Sequence, residues 1–396
     1  MRLIIAGKNS IAVDVLEFAM KNIDISIFVV LNRTEYFKNG FQKSLGFYAN
    51  LWKIPIVKLE EVYKYHDAIF LSLEFDKIIK PSLFNTQNLF NIHFSILPAY
   101  KGMYTSALPL INAECETGVT LHKIDSGIDT GDIISQKEIK ISENDTARKL
   151  YLKYINEGTK LVVENLISLI NNNYESFPQS SLSSSYFGKN SIDYTNLNIN
   201  YKQTAFQVVN QLKAFSFREY QLPKYNDVEI GYWQITNEKS IIRPGTIVEE
   251  NKNSFKISTI DFDVILGKDS FKLLCHFCKT NDYTSLKDLL KANKLDLETK
   301  SKEGWTALII AVYNGSFECV KLLINAGANV NAHNYNFTTV LMFAKTNALK
   351  SNERRIIDKL IDSGASILAK DIFGKTVIDW VKEENNELYE YFKNKL

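Results

Sequence analysis

The stretch NIHFSILPAYKG, residues 91–102, is the most informative segment of the chain, because it places an amide and an imidazole on one face of a buried strand. The run that begins at residue 88 is apolar, yet Asn91 and His93 stand two residues apart within it. Alternate residues of a strand point to the same face, so the two polar side chains share one environment. Burying both without hydrogen-bond partners is unfavourable. The stretch therefore predicts either a locally satisfied pair or one wall of a functional site.

Short apolar runs that alternate with helical patterns characterise the N-terminal part of the chain. Such alternation predicts an α/β domain with an open, mainly parallel, Rossmann-like sheet and right-handed crossovers. Ligands of these sheets bind at the carboxyl ends of the strands, where Asn91 and His93 are expected to lie. The strand candidates are 2–6, 25–31, 68–73 and 88–94, and the helical patterns are 10–21 and 105–113.

Alternating polar and apolar residues predict two further strands, at 118–124 and 133–141. A long amphipathic helix is expected at 144–172, with Asn144 or Asp145 as its N-terminal cap.

A Ser-rich stretch, SFPQSSLSSSYFGKNS at residues 176–191, has the composition of a breaker and marks the first expected domain boundary. Strand patterns at 228–235, 246–250 and 255–266 follow it and predict a small β-rich subdomain.

The C-terminal part repeats itself with the period of an ankyrin repeat. Thr306 and Thr339 are 33 residues apart, and Thr339 and Thr376 are 37 apart, so four extra residues are expected in a loop near 349–352. Together with the motif Gly-x-Thr-Ala-Leu, this period resembles ankyrin repeats, with residues 281–300 as a degenerate leading unit. The predicted domains are the α/β domain at 1–185, the β-rich subdomain at 186–268 and the ankyrin repeats at 269–396.

Composition and charge narrow the class of protein. The 396 residues are 45% hydrophobic, enough for several cores, and a net charge of +2 gives no general attraction to nucleic acid. No apolar run approaches the ~18 residues of a membrane helix, and the start MRLIIAGKNS does not resemble a signal peptide, so a cytoplasmic protein is expected. Cys275 and Cys278 form a CxxC without a second ligand pair, so no metal is expected.

Asp129, in the segment GIDTGDI, follows His93 by 36 residues. The order Asn-x-His-x-Ser-x-Leu-Pro and then Asp-Thr-Gly resembles the formyltransferase family that uses 10-formyltetrahydrofolate, over roughly residues 1–265. The resemblance implies the formyltransferase fold, that formyl donor, and Asn91, His93 and Asp129 as the catalytic residues.

The chemistry of formyl transfer agrees with these residue types. An amide N–H can stabilise the oxyanion of a tetrahedral intermediate, and an imidazole can move the protons. Asp129 near His93 would orient the ring and favour its charged form, or accept the proton of the amine. The sequence does not decide which group moves which proton. His122, on a neighbouring predicted strand, is expected to support the site.

The segments FREYQLP (217–223) and SLEFDKIIKP (72–81) resemble the sugar-nucleotide N-formyltransferases, which act on dTDP-linked amino-dideoxyhexoses. With an ankyrin tail, the chain is most similar to those acting on dTDP-3-amino-3,6-dideoxyglucose, which implies a role in O-antigen synthesis and a homodimer. Lys77 would then pair with the pyrophosphate as a point charge. The implied substrate-binding residues are Asn9, Ser10, Lys77, Met103, Tyr104 and Tyr220, and the implied donor-binding residues are Leu89, Asp125 and Ile128. The alternatives are a 4-amino sugar, methionyl-tRNA, hydrolysis of the donor, and a catalytically silent binding module.

Trp305 is the residue that suggests a role for the ankyrin tail. It precedes the first helix of its repeat, at a β-turn tip that ordinarily points outward, and exposed tryptophans are enriched at binding hot spots. Three hypotheses follow: a site for a protein partner, a site for a second small molecule such as a nucleotide, and a packing contact with the catalytic domain.

Overall fold

Residues 1–292 and 295–396 are described by the structure, which is a computed structural model. They form two units, one of residues 1–38 and 42–267 and one of residues 39–41 and 268–396. Residues 293 and 294, which belong to the predicted leading repeat, lie outside the described residues. None of the described helices combines the length and the apolar character that crossing a membrane requires.

A six-stranded sheet with the order β2-β1-β3-β4-β6-β7 forms the centre of the first unit. Its first four strands pair in parallel and the last two are antiparallel, so the expected mainly parallel sheet is confirmed. Leu3, Ile4 and Ile5 are fully buried, as expected for a parallel strand covered on both faces. The strands of this sheet are β1 (Arg2–Gly7), β2 (Ser26–Leu31), β3 (Ala68–Leu73), β4 (Leu89–His93), β6 (Glu116–Lys123) and β7 (Ile133–Lys140). Two short strands, β5 (Lys101–Gly102) and β8 (Tyr186–Phe187), pair in a separate two-stranded sheet.

The long helix of this unit begins later than its sequence predicts. The side chain of Thr146, rather than Asn144 or Asp145, caps it by accepting from the Lys149 amide. Asp145 is buried and accepts instead from the Ser142 amide at 2.7 Å, which removes it from the cap. The helix expected at 105–113 is also shorter than predicted and covers only Leu108–Ile111. The helices are α1 (Asn9–Asn22), α2 (Leu45–Leu51), α3 (Leu59–Val62), α4 (Leu108–Ile111) and α5 (Ala147–Ile170), and α5 packs against α1, β6 and β7.

A five-stranded sheet with the order β11-β12-β13-β10-β9 forms the β-rich part of the same unit and packs on helix α6 (Ala205–Ala214). The single strand expected at 255–266 is two strands, because Asp261 accepts hydrogen bonds from the Phe262 amide and the Thr259 hydroxyl and so closes a turn between them. The strands are β9 (Lys224–Tyr225), β10 (Val228–Lys239), β11 (Ile247–Glu250), β12 (Ser254–Ile257) and β13 (Phe262–Lys268).

Short helices around one apolar core make up the second unit, and the ankyrin repeats are confirmed. The repeating Thr306, Thr339 and Thr376 are the N-caps of three helices, which explains the period. The extra residues expected in a loop near 349–352 instead lengthen α11. The helices are α7 (Phe271–Thr280), α8 (Tyr283–Ala292), α9 (Ala307–Tyr313), α10 (Phe317–Asn325), α11 (Val340–Ser351), α12 (Arg355–Asp362), α13 (Val377–Val381) and α14 (Asn386–Lys393).

Candidate active site

Strand β4 and the turn 125–131 bring Asn91, His93 and Asp129 together. Asn91 and His93 lie on β4, and the turn connects β6, the antiparallel neighbour of β4, to β7. The Nδ2 atom of Asn91 lies 3.5 Å from Oδ1 of Asp129, and Nδ1 of His93 lies 3.4 Å from Oδ2 of the same carboxylate. The carboxylate therefore stands between the amide and the imidazole.

Backbone groups hold Asp129 in place. Its φ of +55° lies in the left-handed region, which aspartate tolerates better than most residues. Its Oδ2 accepts from the Gly102 amide at 2.9 Å, and its own carbonyl accepts from Nε2 of Gln179 at 2.8 Å. The same turn requires glycine at Gly131, because a Cβ there would stand 1.9 Å from the Lys123 carbonyl oxygen.

The hydrogen bonds of His93 determine which nitrogen faces the site. Nε2 lies 2.8 Å from the Tyr100 carbonyl oxygen, and a carbonyl only accepts, so Nε2 carries a proton. Nδ1 is the nitrogen that faces Asp129. The His93 side chain is buried, so this pair is shielded from bulk water. A proton gained or lost by the ring in the site therefore moves at Nδ1.

His122 directs the amide of Asn91. It is the cross-strand partner of Asn91, and its Nδ1 donates to the Lys123 carbonyl at 2.7 Å. Burial lowers the pKa of His122 to about 4, although the nearby Asp129 carboxylate raises it, so the ring is uncharged at neutral pH. Its Nε2 therefore accepts from Nδ2 of Asn91 at 3.0 Å. One amide hydrogen of Asn91 is held by His122, and the other points towards Asp129.

A second polar cluster lies at the carboxyl ends of β1 and β3. Nδ2 of Asn9 is 2.9 Å from Oε2 of Glu74 and 2.8 Å from the Tyr151 hydroxyl, which itself donates to Glu74 at 2.8 Å. Burial raises the pKa of Glu74, while the hydrogen bonds from Asn9 and Tyr151 lower it. Sequence reasoning missed Glu74 and Tyr151. The available signal was a charged residue directly after a strand that is apolar except for Ser72.

The other expected substrate-binding residues lie on several elements. Ser10, on the first turn of α1, accepts at Oγ from the Lys43 amide at 3.2 Å. Lys77 is exposed after β3, and Met103 is exposed after β5. The Tyr104 hydroxyl donates to the Lys189 carbonyl, whereas Tyr220 is largely exposed, with its ring 4.7 Å from that of Phe217.

Two of the three expected donor-binding residues share the turn of Asp129. Ile128 is exposed there, and Oδ1 of Asp125 accepts from the Gly127 amide and the Thr130 hydroxyl. Leu89 is 1% exposed in the core, and its carbonyl accepts from the Ile124 amide. The turn thus presents apolar and acidic groups beside Asn91, His93 and Asp129.

Trp305 is less exposed than an outward-pointing position predicts. The indole is half-buried, and its ring lies 4.9 Å from that of Tyr313 and 5.0 Å from that of Phe343. Aromatic residues on α9 and α11 provide apolar surface that the tryptophan covers. The residue remains partly accessible at the edge of this aromatic cluster.

Comparison with known proteins agrees with the fold. The family described as "Formyl transferase" matches residues 58–166, and the family of ankyrin repeats matches residues 274–371. The chain is 28% identical over 214 residues to methionyl-tRNA formyltransferase of Clostridioides difficile and 29% identical over 216 residues to that of Staphylococcus aureus strain Newman. These alignments cover 51% and 54% of this chain, and the chain spans about two thirds of each relative, 66% and 69%.

Two solved structures resemble the chain more strongly. One is an N-formyltransferase from Helicobacter canadensis in complex with folinic acid and dTDP-3-aminofucose, with 46% identity and a TM-score of 0.63 over 67% of this chain and 99% of that one. The other, WlaRD, is a sugar 3-N-formyltransferase in the presence of dTDP and 5-N-formyl-tetrahydrofolate, with 45% identity and the same TM-score over 68% and 97%. The chain belongs to the formyltransferase family, alongside these sugar N-formyltransferases, and carries ankyrin repeats in addition.

Proposed function

We propose that this protein transfers the formyl group of 10-formyltetrahydrofolate to the amine of a dTDP-linked amino-dideoxyhexose. The observation that carries the proposal is that the Asn91 amide and the His93 imidazole both lie beside the Asp129 carboxylate, on the sheet of a formyltransferase fold. The ligands of the two similar solved structures, a dTDP-sugar or dTDP together with a formylated folate, support this choice of substrates.

The reaction forms one C–N bond and breaks another. The nitrogen of the sugar amine attacks the formyl carbon, and the carbonyl oxygen becomes an oxyanion. Asn91 stabilises this oxyanion through the N–H that is not held by His122, since its 3.5 Å contact with Asp129 is long enough to be exchanged for a stronger one. When the bond from carbon to the folate nitrogen breaks, the oxyanion reverts to a carbonyl.

His93 and Asp129 move the single proton that the reaction transfers. The attacking amine loses one proton and the departing folate nitrogen gains one, so no net proton is released. Nδ1 of His93 and Oδ2 of Asp129 face each other at 3.4 Å, and Nε2 is tied to the Tyr100 carbonyl. We assign the removal of the amine proton to this pair, and its delivery to the leaving nitrogen to Nδ1.

The proposed substrate is dTDP-3-amino-3,6-dideoxy-D-glucose. The similarity to a sugar 3-N-formyltransferase supports a 3-amino rather than a 4-amino sugar. Asn9 and Ser10, with Lys77, are proposed for the pyrophosphate, and Met103, Tyr104 and Tyr220 for the sugar end. A net charge of +2 argues against methionyl-tRNA. We further propose a cytoplasmic homodimer whose product enters cell-surface polysaccharide.

The test is a substrate panel. Purified protein is incubated with 10-formyltetrahydrofolate and several dTDP-amino sugars while tetrahydrofolate formation and the mass of each sugar nucleotide are followed. We expect one 3-amino sugar nucleotide to gain the mass of CO as tetrahydrofolate is formed. Folate turnover without a sugar product would indicate hydrolysis, and no turnover would favour a binding module.

For the ankyrin unit we propose a binding site at Trp305, for a protein partner or a second small molecule. The partly accessible indole and the cation of Lys350, 4.7 Å from the Tyr313 ring centre, support an aromatic, positively charged surface there. Titrating a dTDP-sugar into wild type and Trp305→Ala tests the small-molecule case. An unchanged stoichiometry would contradict it.

A further inference from the structure

We propose that residues 177–187, here called the strap, position the catalytic residues, with Gln179 and Ser185 as the positioning residues. This inference rests on the proposed function. The composition of the segment is typical of a linker. Its polar side chains and backbone groups nevertheless form hydrogen bonds with the turn 125–131 and with residues 100–102, which hold Asp129 and His93.

Gln179 holds the turn that carries Asp129. Its Nε2 donates to the carbonyls of Asp129 and Gly131, both at 2.8 Å, so one side-chain amide holds the two carbonyls on either side of Thr130. Phe177 and Ile133 exchange two backbone hydrogen bonds of 2.8 Å, which ties the start of the strap to β7 just beyond the turn. These hydrogen bonds fix the position of Gln179 relative to β7, the strand that follows the turn.

Ser185 and its neighbours hold residues 100–102. The Ser185 hydroxyl accepts from the Tyr100 amide at 2.8 Å, and its carbonyl accepts from the Lys101 amide at 2.9 Å. Strand β8 then pairs with β5 in parallel, and the ring of Phe187 stacks on that of Tyr100 at 5.4 Å.

Residues 100–102 in turn hold both catalytic groups. The Tyr100 carbonyl accepts from Nε2 of His93, and the Gly102 amide donates to Oδ2 of Asp129. Tyr100 has a φ of +57°, in the left-handed region that residues with a Cβ seldom adopt, so the segment does not prefer this conformation by itself. Hydrogen bonds from outside residues 100–102 must maintain this backbone conformation, and the strap supplies such bonds.

The strap contributes more to the site than to the core. The side chains of Phe177, Leu182 and Tyr186 are 59%, 78% and 57% exposed, so the segment buries little apolar surface. Because apolar burial is the main source of stability, a substitution of a polar strap residue should lower activity more than it lowers thermal stability.

The test compares variants at the two positioning residues with a matched control in the whole protein. Gln179→Glu keeps the shape of the side chain but sets a carboxylate against two carbonyls, and Gln179→Met removes the donor without adding charge. Ser185→Ala removes the hydroxyl, and Ser185→Thr retains it. Ser180→Ala is the control, because Ser180 is exposed and its hydroxyl accepts from the Leu182 amide, within the strap itself.

We expect kcat to fall at least about tenfold in Gln179→Glu, Gln179→Met and Ser185→Ala, with KM for the nucleotide sugar and the melting temperature near wild type. Ser185→Thr and Ser180→Ala should retain activity. Wild-type kcat in Gln179→Met and Ser185→Ala would overturn the proposal, as would an equal loss in Ser180→Ala. Wild-type protein is assayed first. If it does not transfer formyl groups, the proposed function fails instead of the strap.

Discussion

At the scale of single residues, the role proposed for Asn91 is the most specific. One of its amide hydrogens is committed to His122 and the other is available to an oxyanion. Asn91→Ala is expected to lower kcat by about 10²–10³, the usual effect of losing one oxyanion donor, while nucleotide-sugar binding persists. Steady-state kinetics on the formyl acceptor check this. Asn88→Ala, three residues earlier, is the control, and an equal loss there would contradict the role of Asn91.

His122 makes the stability of the fold depend on pH. In the unfolded chain its pKa returns to 6.5, whereas burial holds it at about 4 in the folded protein. Between these values the unfolded state binds a proton that the folded state does not, so the free energy of unfolding falls as pH drops from 6.5 to 4, by about 3 kcal/mol. Above pH 6.5 this penalty is absent.

Urea unfolding of wild type and His122→Gln across this pH range tests the prediction. Glutamine can still accept from Asn91 and carries no charge, so its stability should fall less steeply than that of wild type. His66→Gln, a change at an exposed histidine, should follow the wild-type slope. Identical slopes for wild type and His122→Gln would contradict the assignment of a buried, neutral His122.

At the scale of elements, the turn 125–131 sets the position of Asp129. Gly131→Ala places a Cβ 1.9 Å from a backbone oxygen of β6, which cannot move aside as a side-chain tip would. The turn must open, so kcat is expected to fall at least about tenfold with some loss of thermal stability. Gly40→Ala is the control, since a Cβ at Gly40 meets nothing within 4 Å. Normal activity in Gly131→Ala would show that the turn tolerates displacement.

Sequence patterns predict elements well where local and tertiary preferences agree. Such cases are the apolar runs of the parallel sheet and the capping threonines of the ankyrin repeats. The position of Asn91 and His93 two residues apart on one strand is another. The Ser-rich segment is the opposite case, because its hydrogen bonds go to residues 98–104 and 129–133, which composition cannot reveal. Glu74 and the packing of Trp305 likewise depend on partners distant in sequence.

At the scale of the whole molecule, each unit has its own core. The ankyrin core consists of residues from 274 to 392, and the cores of the α/β and β-rich parts lie within residues 4–266. The Helicobacter canadensis enzyme, 99% of which aligns with 67% of this chain, has no counterpart for about a third of the chain.

Residues 1–267 alone are therefore expected to fold and to transfer formyl groups, with kcat within about threefold of the whole protein. Circular dichroism and the formyl-transfer assay on the shortened chain check this. Aggregation or inactivity of residues 1–267 would show that the ankyrin unit is required for the structure of the enzyme.

Transfer of a labelled formyl group tests the central claim most directly. The protein is incubated with 10-formyltetrahydrofolate that carries ¹³C in the formyl group and with dTDP-3-amino-3,6-dideoxyglucose, and the fate of the label is followed by NMR. We expect a labelled formamide on the nitrogen at carbon 3 with wild type, and almost none with Asn91→Ala. Label recovered as free formate, or left on the folate while the protein is folded, would contradict it.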